Sequence, residues 1–358
     1  MRHEDGLRLA LGRYLSVAED TLPARFQLCR RVRAEIPETL RECWKAHAEG
    51  MREYERLLAN ADSIKEVSCL PIRRPNLLDL KQAIAEKLIE SCVFCERRCG
   101  KNRRKGELGT CRVGYESRVA SAFLHFGEEP ELVPSGTVFF SGCTLFCRFC
   151  QNWEISQNPA MGTVWSAGDF CTWVERARRR GARNVNLVGG EPTPNLHTVL
   201  GWLAECGTNV PVVWNSNMCM SAEAMELLRG VVDVYLADFK YFDNGCALRL
   251  SAIPRYAETV ARNHLLAAGQ AELLVRHLVL PNHIECCTKP VLSWLRENLG
   301  DKARVNVMSQ YWPCYRAGSA PEIARRLLPE EYRAALEHAR RIGLHNIETQ
   351  PMALAELF

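Results

Sequence analysis

The chain has 358 residues, 47% hydrophobic and 25% charged, with a net charge of +4. This is ordinary globular composition, enough for one large domain with an extension or for two domains, and it excludes low-complexity and fibrous chains. The charge is too mild to call for a nucleic-acid partner, and no window approaches the roughly 18–20 apolar residues of a membrane helix.

The opening MRHEDGLRLALGRYL is charged from its second residue, unlike a signal peptide, so a soluble, cytoplasmic chain without a membrane partner is expected. Residues 1–88 carry no convincing strand. ETLRECWKAHAEGMREYERLLANA has apolar residues at three-to-four spacing and predicts helix; after the break CLPIRRPN, so does NLLDLKQAIAEKLIESC. A helical extension over 1–88 is expected, followed by a small four-cysteine module over 89–120. The basic runs RRCGKNRRK (from Arg97) and RARRR (from Arg176) read as solvated faces.

From about residue 136 short β-branched runs alternate with helical patterns. The runs are GTVFFSG, NVNLVGG, VPVVWNS, VDVYLAD, LLVRHLVL and RVNVMSQ; between them lie DFCTWVERARRRG, SAEAMELLRG and TKPVLSWLRENLG, each ending in glycine, a common helix stop. This alternation predicts βαβ units and a parallel sheet. The expected fold over 121–358 is α/β, from a partial (β/α)6-type to a full (β/α) barrel. No G-x-G-x-x-G follows the first strand, which argues against a doubly wound nucleotide-binding sheet.

Polar residues cluster where those strands end. A cysteine loop follows the first, Gly189-Gly190-Glu191 the second and Asn215-Ser216-Asn217 the third. Asp238 and Lys240 follow the fourth, Arg276 and His277 lie in the fifth, and Gln310 and Tyr311 follow the sixth. A β/α barrel builds its active site at this rim. Arg276 and His277 alternate on one strand, so only one of them can face the centre. His125, Glu128 and Glu129, before the first strand, are expected to reach the site or to cap the barrel bottom.

There are 17 cysteines, and in a long chain without a signal peptide these point to metal rather than to disulfides. Cys143, Cys147 and Cys150 are spaced C-x3-C-x2-C. Three thiolates can hold three irons of a 4Fe–4S cubane and leave the fourth open to a ligand; a zinc site completed by a distant His or Cys is the alternative. Cys92, Cys95, Cys99 and Cys111 form a closed set that suits zinc or an auxiliary Fe–S cluster. Cys29, Cys43, Cys171 and Cys206 sit in helical patterns and read as small buried residues. Cys219 and Cys314 lie near strand ends. Cys286-Cys287 is an adjacent pair with no second pair nearby, and no metal is expected there.

These motifs, with HFGEEP, SGCTLFCRFCQNWEIS, GGEPTPN, WNSNM, DFKY, VRHLVLP and NVMSQYWPCYRA, resemble the pyruvate formate-lyase activating enzyme-like group of the radical S-adenosylmethionine (SAM) superfamily over residues 91–318. The resemblance implies that Cys143, Cys147 and Cys150 hold a 4Fe–4S cluster whose open iron binds SAM. It implies reductive SAM cleavage to a 5′-deoxyadenosyl radical and hydrogen abstraction from a substrate. Gly189, Gly190 and Glu191 match the motif for the SAM amino group. Asn215, Ser216 and Asn217 match the ribose and carboxylate region, although the family often has Asp where Asn215 stands. Asp238 and Lys240 match the family's D-x-K. With Arg276 and His277 these are the implied cofactor-binding residues; no catalytic residue beyond them is implied. A reductant such as flavodoxin or ferredoxin is implied, with a glycyl radical enzyme as target. A small-molecule or peptide substrate is the alternative, and a non-catalytic Fe–S electron-transfer or zinc-binding interaction protein is the alternative of another class.

Overall fold

The computed structural model describes residues 3–61 and 64–349, and side chains from residue 10 onward; the expected barrel domain therefore ends outside the described residues. One sheet organises it. Its strands are β1 Arg118–His125, β2 Ser135–Phe140, β3 Thr163–Val164, β4 Asn184–Gly189, β5 Val212–Ser216, β6 Val234–Asp238, β7 Glu272–Leu278, β8 Ala303–Met308 and β9 Ile347–Thr349. Their order is β3-β1-β2-β4-β5-β6-β7-β8-β9. From β2 to β9 the neighbours are parallel. The six expected runs are β2 and β4 to β8, and the sheet ends at β3 and β9 instead of closing. It is a partial barrel.

Three strands were not expected. β1 pairs antiparallel with β2, and β3 antiparallel with β1. β1 is half exposed and lacks the continuous apolar run of a strand covered on both faces. β5 and β8 have that run, and all their residues are buried.

The crossover helices form where the sequence supplies stops and caps. Ala167–Arg179 opens on a capping box of Ser166 and Asp169, and Ala222–Leu228 on a Ser221 cap. In the N-terminal region, Leu40–Ala59 starts at Thr39, and Leu77–Leu88 at a capping box of Asn76 and Asp79.

The N-terminal helix His3–Ala18 closes the barrel at the strands' N-terminal end. Ala10, Leu11 and Tyr14 share a core cluster with Leu132, Val213, Val234, Leu236 and Leu274. The Glu272 carboxylate, at the start of β7, accepts the backbone N–H of Arg13 at 2.7 Å and of Tyr14 at 2.5 Å. Asp233 likewise accepts the N–H of Arg25 at 3.0 Å.

The basic runs are largely exposed, as expected, but Arg97, Arg103 and Arg178 turn inward. Arg178 pairs with Asp20 at 2.7 Å and so ties the N-terminal segment to the barrel. Arg103 is fully buried and donates to the Gly114 carbonyl, while Arg97 donates to the Thr144 and Ala252 carbonyls. These arginines satisfy loop carbonyls that helix and sheet leave unpaired.

Candidate functional site

A cavity of about 420 Å³ lies at the C-terminal ends of the parallel strands. It is lined by Cys143, Cys147, Cys150, Gly189, Gly190, Glu191, Asn215, Ser216, Asn217, Asp238, Lys240 and Arg276. The structure thus brings together every expected rim residue except His277 and Tyr311, whose hydroxyl donates to the Ile323 carbonyl instead. It reaches the surface beside exposed Gln151, Asn152 and Gln310.

The cysteine loop follows β2 and is held from several elements. The N–H of Leu145 points at the Cys143 sulfur at 3.4 Å, and Asn217 Nδ2 at the same sulfur at 3.7 Å. Ser251 Oγ donates to the Cys147 sulfur at 3.0 Å, and Ser156 Oγ lies 3.3 Å from that of Cys150. Burial pushes the Cys143 thiol well above its ordinary pKa and that of Cys147 to about 11. A metal entering here must displace protons, and the neighbouring donors then stabilise the thiolates.

Gly189 and Gly190 have a backbone role that spacing alone did not reveal. Gly189 has φ +111°, and a side chain there would run into the backbone of Phe140. A Cβ on Gly190 would lie 2.0 Å from the Gly142 carbonyl oxygen. The pair therefore seats β4 against the residue preceding Cys143.

Glu191 is 1% exposed. It accepts hydrogen bonds from Thr193 Oγ1 at 2.6 Å, Ser216 Oγ at 2.7 Å and the N–H of Asn217 at 2.9 Å. Burial raises its pKa, and those donors oppose the rise. The carboxylate fixes the turn after β5 as well as facing the cavity.

Lys240 donates to Asp238 at 2.5 Å. Burial works against its charge, but Asp238, Cys147 and Cys150 outweigh it and raise the lysine's pKa. The cation stands beside the sulfurs of Cys147 and Cys150.

Arg276 is the residue of its pair that faces inward. Its guanidinium meets both oxygens of Glu129, at 2.8 and 2.6 Å, and also pairs with Glu128. Burial opposes the charge on Glu128, yet Arg276 and His125 bring its pKa down to about 2. Asn186 and Asn306 donate to Glu128 and Glu129 at 3.2 and 2.8 Å. His125, Glu128 and Glu129 accordingly line the interior of the barrel rather than capping its bottom. His277 corrects the expectation that placed it with the cofactor residues. It points outward; its Nδ1 bonds to the Phe239 carbonyl at 2.7 Å and its Nε2 to Thr288 Oγ1 at 2.9 Å. Burial lowers its pKa to about 4, so it is neutral.

Cys92, Cys95, Cys99 and Cys111 line one small cavity with Arg97 and Arg103. The module docks on the turn after β5, where the N–H of Glu96 donates to the Cys219 carbonyl at 3.0 Å. Among the described residues, only Cys246, Cys286 and Cys287 present three ligand atoms all within 4.8 Å of one another. A single tetrahedral zinc with bonds of about 2.3 Å needs thiolates about 3.8 Å apart. Neither the C-x3-C-x2-C loop nor the four-cysteine module presents three sulfurs that close together. Of the other cysteines, Cys29 and Cys43 are buried and donate to the Gly230 and Pro37 carbonyls. Cys314 donates to the Phe149 carbonyl at 3.3 Å.

Three contributors escaped sequence reasoning. Ser251 carries no local signal, because it meets Cys147 across 104 residues. Asn186 and Asn306 had one: each is a polar residue between two buried apolar neighbours, Val185 and Leu187 or Val305 and Val307.

Residues 137–295 match the family model described as the radical SAM superfamily. The uncharacterized protein MJ0674 of Methanocaldococcus jannaschii is 43% identical over 344 residues, covering 94% of this chain and 98% of that protein. This chain belongs to the radical SAM superfamily. Its cofactors are accordingly a 4Fe–4S cluster and SAM, and it is a radical SAM enzyme. The solved structures of SuiB from Streptococcus suis are also similar. SuiB bound to the precursor peptide SuiA is 16% identical with a TM-score of 0.44, over 60% of this chain and 49% of that one. SuiB bound to S-adenosylmethionine is 16% identical with a TM-score of 0.44, over 58% and 48%. The chain spans about half the length of SuiB. No helix among the described residues is long and apolar enough to cross a membrane.

Proposed function

We propose that this radical SAM enzyme acts on a polypeptide segment presented at the mouth of its cavity, as the glycine loop of a glycyl radical enzyme would be. The observation that carries this reading is the size of the cavity beside the character of its rim. At about 420 Å³ it lies toward the lower end of the roughly 300–1,000 Å³ that one small-molecule ligand occupies, so SAM fills most of it. The substrate then meets the mouth. Nearby, Trp153 of the cysteine loop stacks on Tyr315 with ring centroids 5.3 Å apart, and both are substantially exposed. Trp312, also exposed, carries Arg326 over its face at 4.2 Å. Aromatic and arginine side chains of this kind are enriched where proteins bind polypeptides.

In this reading Cys143, Cys147 and Cys150 hold the catalytic cluster, and Glu191, Asn215, Ser216, Asn217, Asp238 and Lys240 surround SAM. Gly189 and Gly190 keep the cysteine loop in place. Arg276, clamped by Glu128 and Glu129, gives the inner wall a fixed charge. The cluster and SAM supply, on one-electron reduction, a 5′-deoxyadenosyl radical that takes a hydrogen atom from the substrate. The four-cysteine module over 89–120 carries an auxiliary cluster, and the extension over 1–88 braces the catalytic domain that begins near 121. A flavodoxin or ferredoxin is the reductant, and the setting is cytoplasmic.

The test uses the anaerobic, cluster-loaded full chain with dithionite and SAM. Release of 5′-deoxyadenosine is expected, and with a candidate glycyl radical enzyme present, a glycyl radical signal in that partner by electron paramagnetic resonance. Hydrogen loss from a small molecule alone would overturn the polypeptide reading. Iron retained in a Cys143/Cys147/Cys150 triple alanine variant is the mark of the auxiliary cluster; zinc there instead would refute it.

A further inference from the structure

Outside the SAM cavity, three cysteines from two elements converge. Cys246 sits in the first turn of the helix Asn244–Ser251. Cys286 and Cys287 are neighbours in Ile284–Thr288, one wide π-helical turn that leads into the helix Lys289–Asn298. Their three sulfurs lie within 4.8 Å of one another, with Cys246 and Cys286 at 3.9 Å. The adjacent pair Cys286-Cys287, from which no metal was expected, thus acquires its missing partner from 40 residues away.

Several features make this a built arrangement. Asp243 caps the helix by accepting the N–H of Cys246 at 2.7 Å, which fixes where that thiol starts. The π-helical turn rotates successive side chains by less than an α-helix does, and so draws the adjacent thiols to one side; such turns recur at functional sites. Arg249 Nη2 lies 3.6 Å from the Cys246 sulfur and offsets the charge of a thiolate set. Cys246 and Cys287 are buried, whereas Cys286 is exposed and gives a path of entry. The spacing of the three sulfurs is within about 1 Å of the roughly 3.8 Å between thiolates sharing one zinc. The other two cysteine groups lack this spacing.

We propose that Cys246, Cys286 and Cys287 bind one thiophilic d10 cation, zinc or copper(I), as a three-thiolate site. Thiolate ligands select these ions. Binding releases the thiol protons and involves no change of oxidation state. The bound ion would clamp the helix Asn244–Ser251 to the turn before Lys289. That helix ends in Ser251, which donates to the Cys147 sulfur, so the clamp stands behind the cluster loop.

Zinc and copper(I) are titrated separately and anaerobically into the cluster-loaded full chain, against a chromophoric chelator. Wild type is compared with Cys246→Ser and with Cys286→Ser; the latter replaces an exposed side chain. The expected result is one more equivalent of at least one ion in wild type than in either variant, with equal iron per chain in all three. The same ion should raise the melting temperature of wild type alone. Equal stoichiometry in wild type and Cys286→Ser for both ions would overturn the proposal. So would a Cys246–Cys286 disulfide recovered from anaerobically prepared protein.

Discussion

Replacing Gly190 with alanine probes the link between the glycine pair and the cluster. The new Cβ would lie 2.0 Å from the Gly142 carbonyl oxygen and 2.7 Å from its carbon. Non-bonded atoms of this size settle at roughly 3.5 Å, so one backbone must retreat by more than about 1 Å. Gly142 has little room to do so: its N–H is bonded to the Ile155 carbonyl at 2.9 Å, and Val113 packs beside it. Overpacking of this kind costs about 1–3 kcal/mol. The larger effect is local, because the displaced residue precedes Cys143. A shift of about 1 Å in a reacting group can cost about 100-fold in rate. Gly190→Ala is therefore expected to remain folded, to lose iron from the Cys143/Cys147/Cys150 site, and to form 5′-deoxyadenosine about 100-fold more slowly. Gly207→Ala is the control, since nothing lies within 4 Å of its added Cβ. Iron per chain and product release after anaerobic reconstitution are the measurements. Wild-type iron and rate in Gly190→Ala would refute the reasoning.

Two further predictions concern hydrogen bonds to charged or buried groups. Ser251→Ala removes the donor at 3.0 Å from the Cys147 sulfur. With a bond worth about 1 kcal/mol favouring the more negative reduced cluster, the potential should fall by on the order of 40 mV. A redox titration followed by electron paramagnetic resonance measures it, and an unchanged or higher potential contradicts the role. Glu272 is pushed up to about 7 by burial beneath the N-terminal helix, with the N–H groups of Arg13 and Tyr14 opposing the rise. The folded chain then holds a proton that the unfolded chain releases near pH 4.3. Stability linked to this group is full below that pH and lost as pH rises through about 7, up to about 4 kcal/mol. Urea midpoints from pH 5 to 8 should fall in wild type and fall less in Glu272→Gln; parallel profiles would exclude the linkage.

Much of the site could be read before any coordinates. Local spacing places side chains together when they come from one loop, as with Cys143, Cys147 and Cys150, or from successive strand ends that the barrel topology must bring to one rim. Six strands were legible because burial on both faces demands long apolar runs. β1 was not, because a half-exposed antiparallel strand needs no such run. The choice between Arg276 and His277 was legible only as an alternation. Which one faces in depends on Glu128 and Glu129 being inside to meet the guanidinium.

The sequence by itself determined the order of the βα units, the cysteine loop and the polar residues ending each strand. These follow from periodicity and from neighbours within a few residues. Tertiary structure alone decided that the barrel stays open, that the helix His3–Ala18 covers its N-terminal end, and that Gly190 packs on Gly142. It alone joined Ser251 to Cys147, and Cys246 to Cys286 and Cys287. Each of these is a contact between segments far apart in the chain, and such contacts form only when the burial of many side chains at once selects one packing from many that local preferences allow.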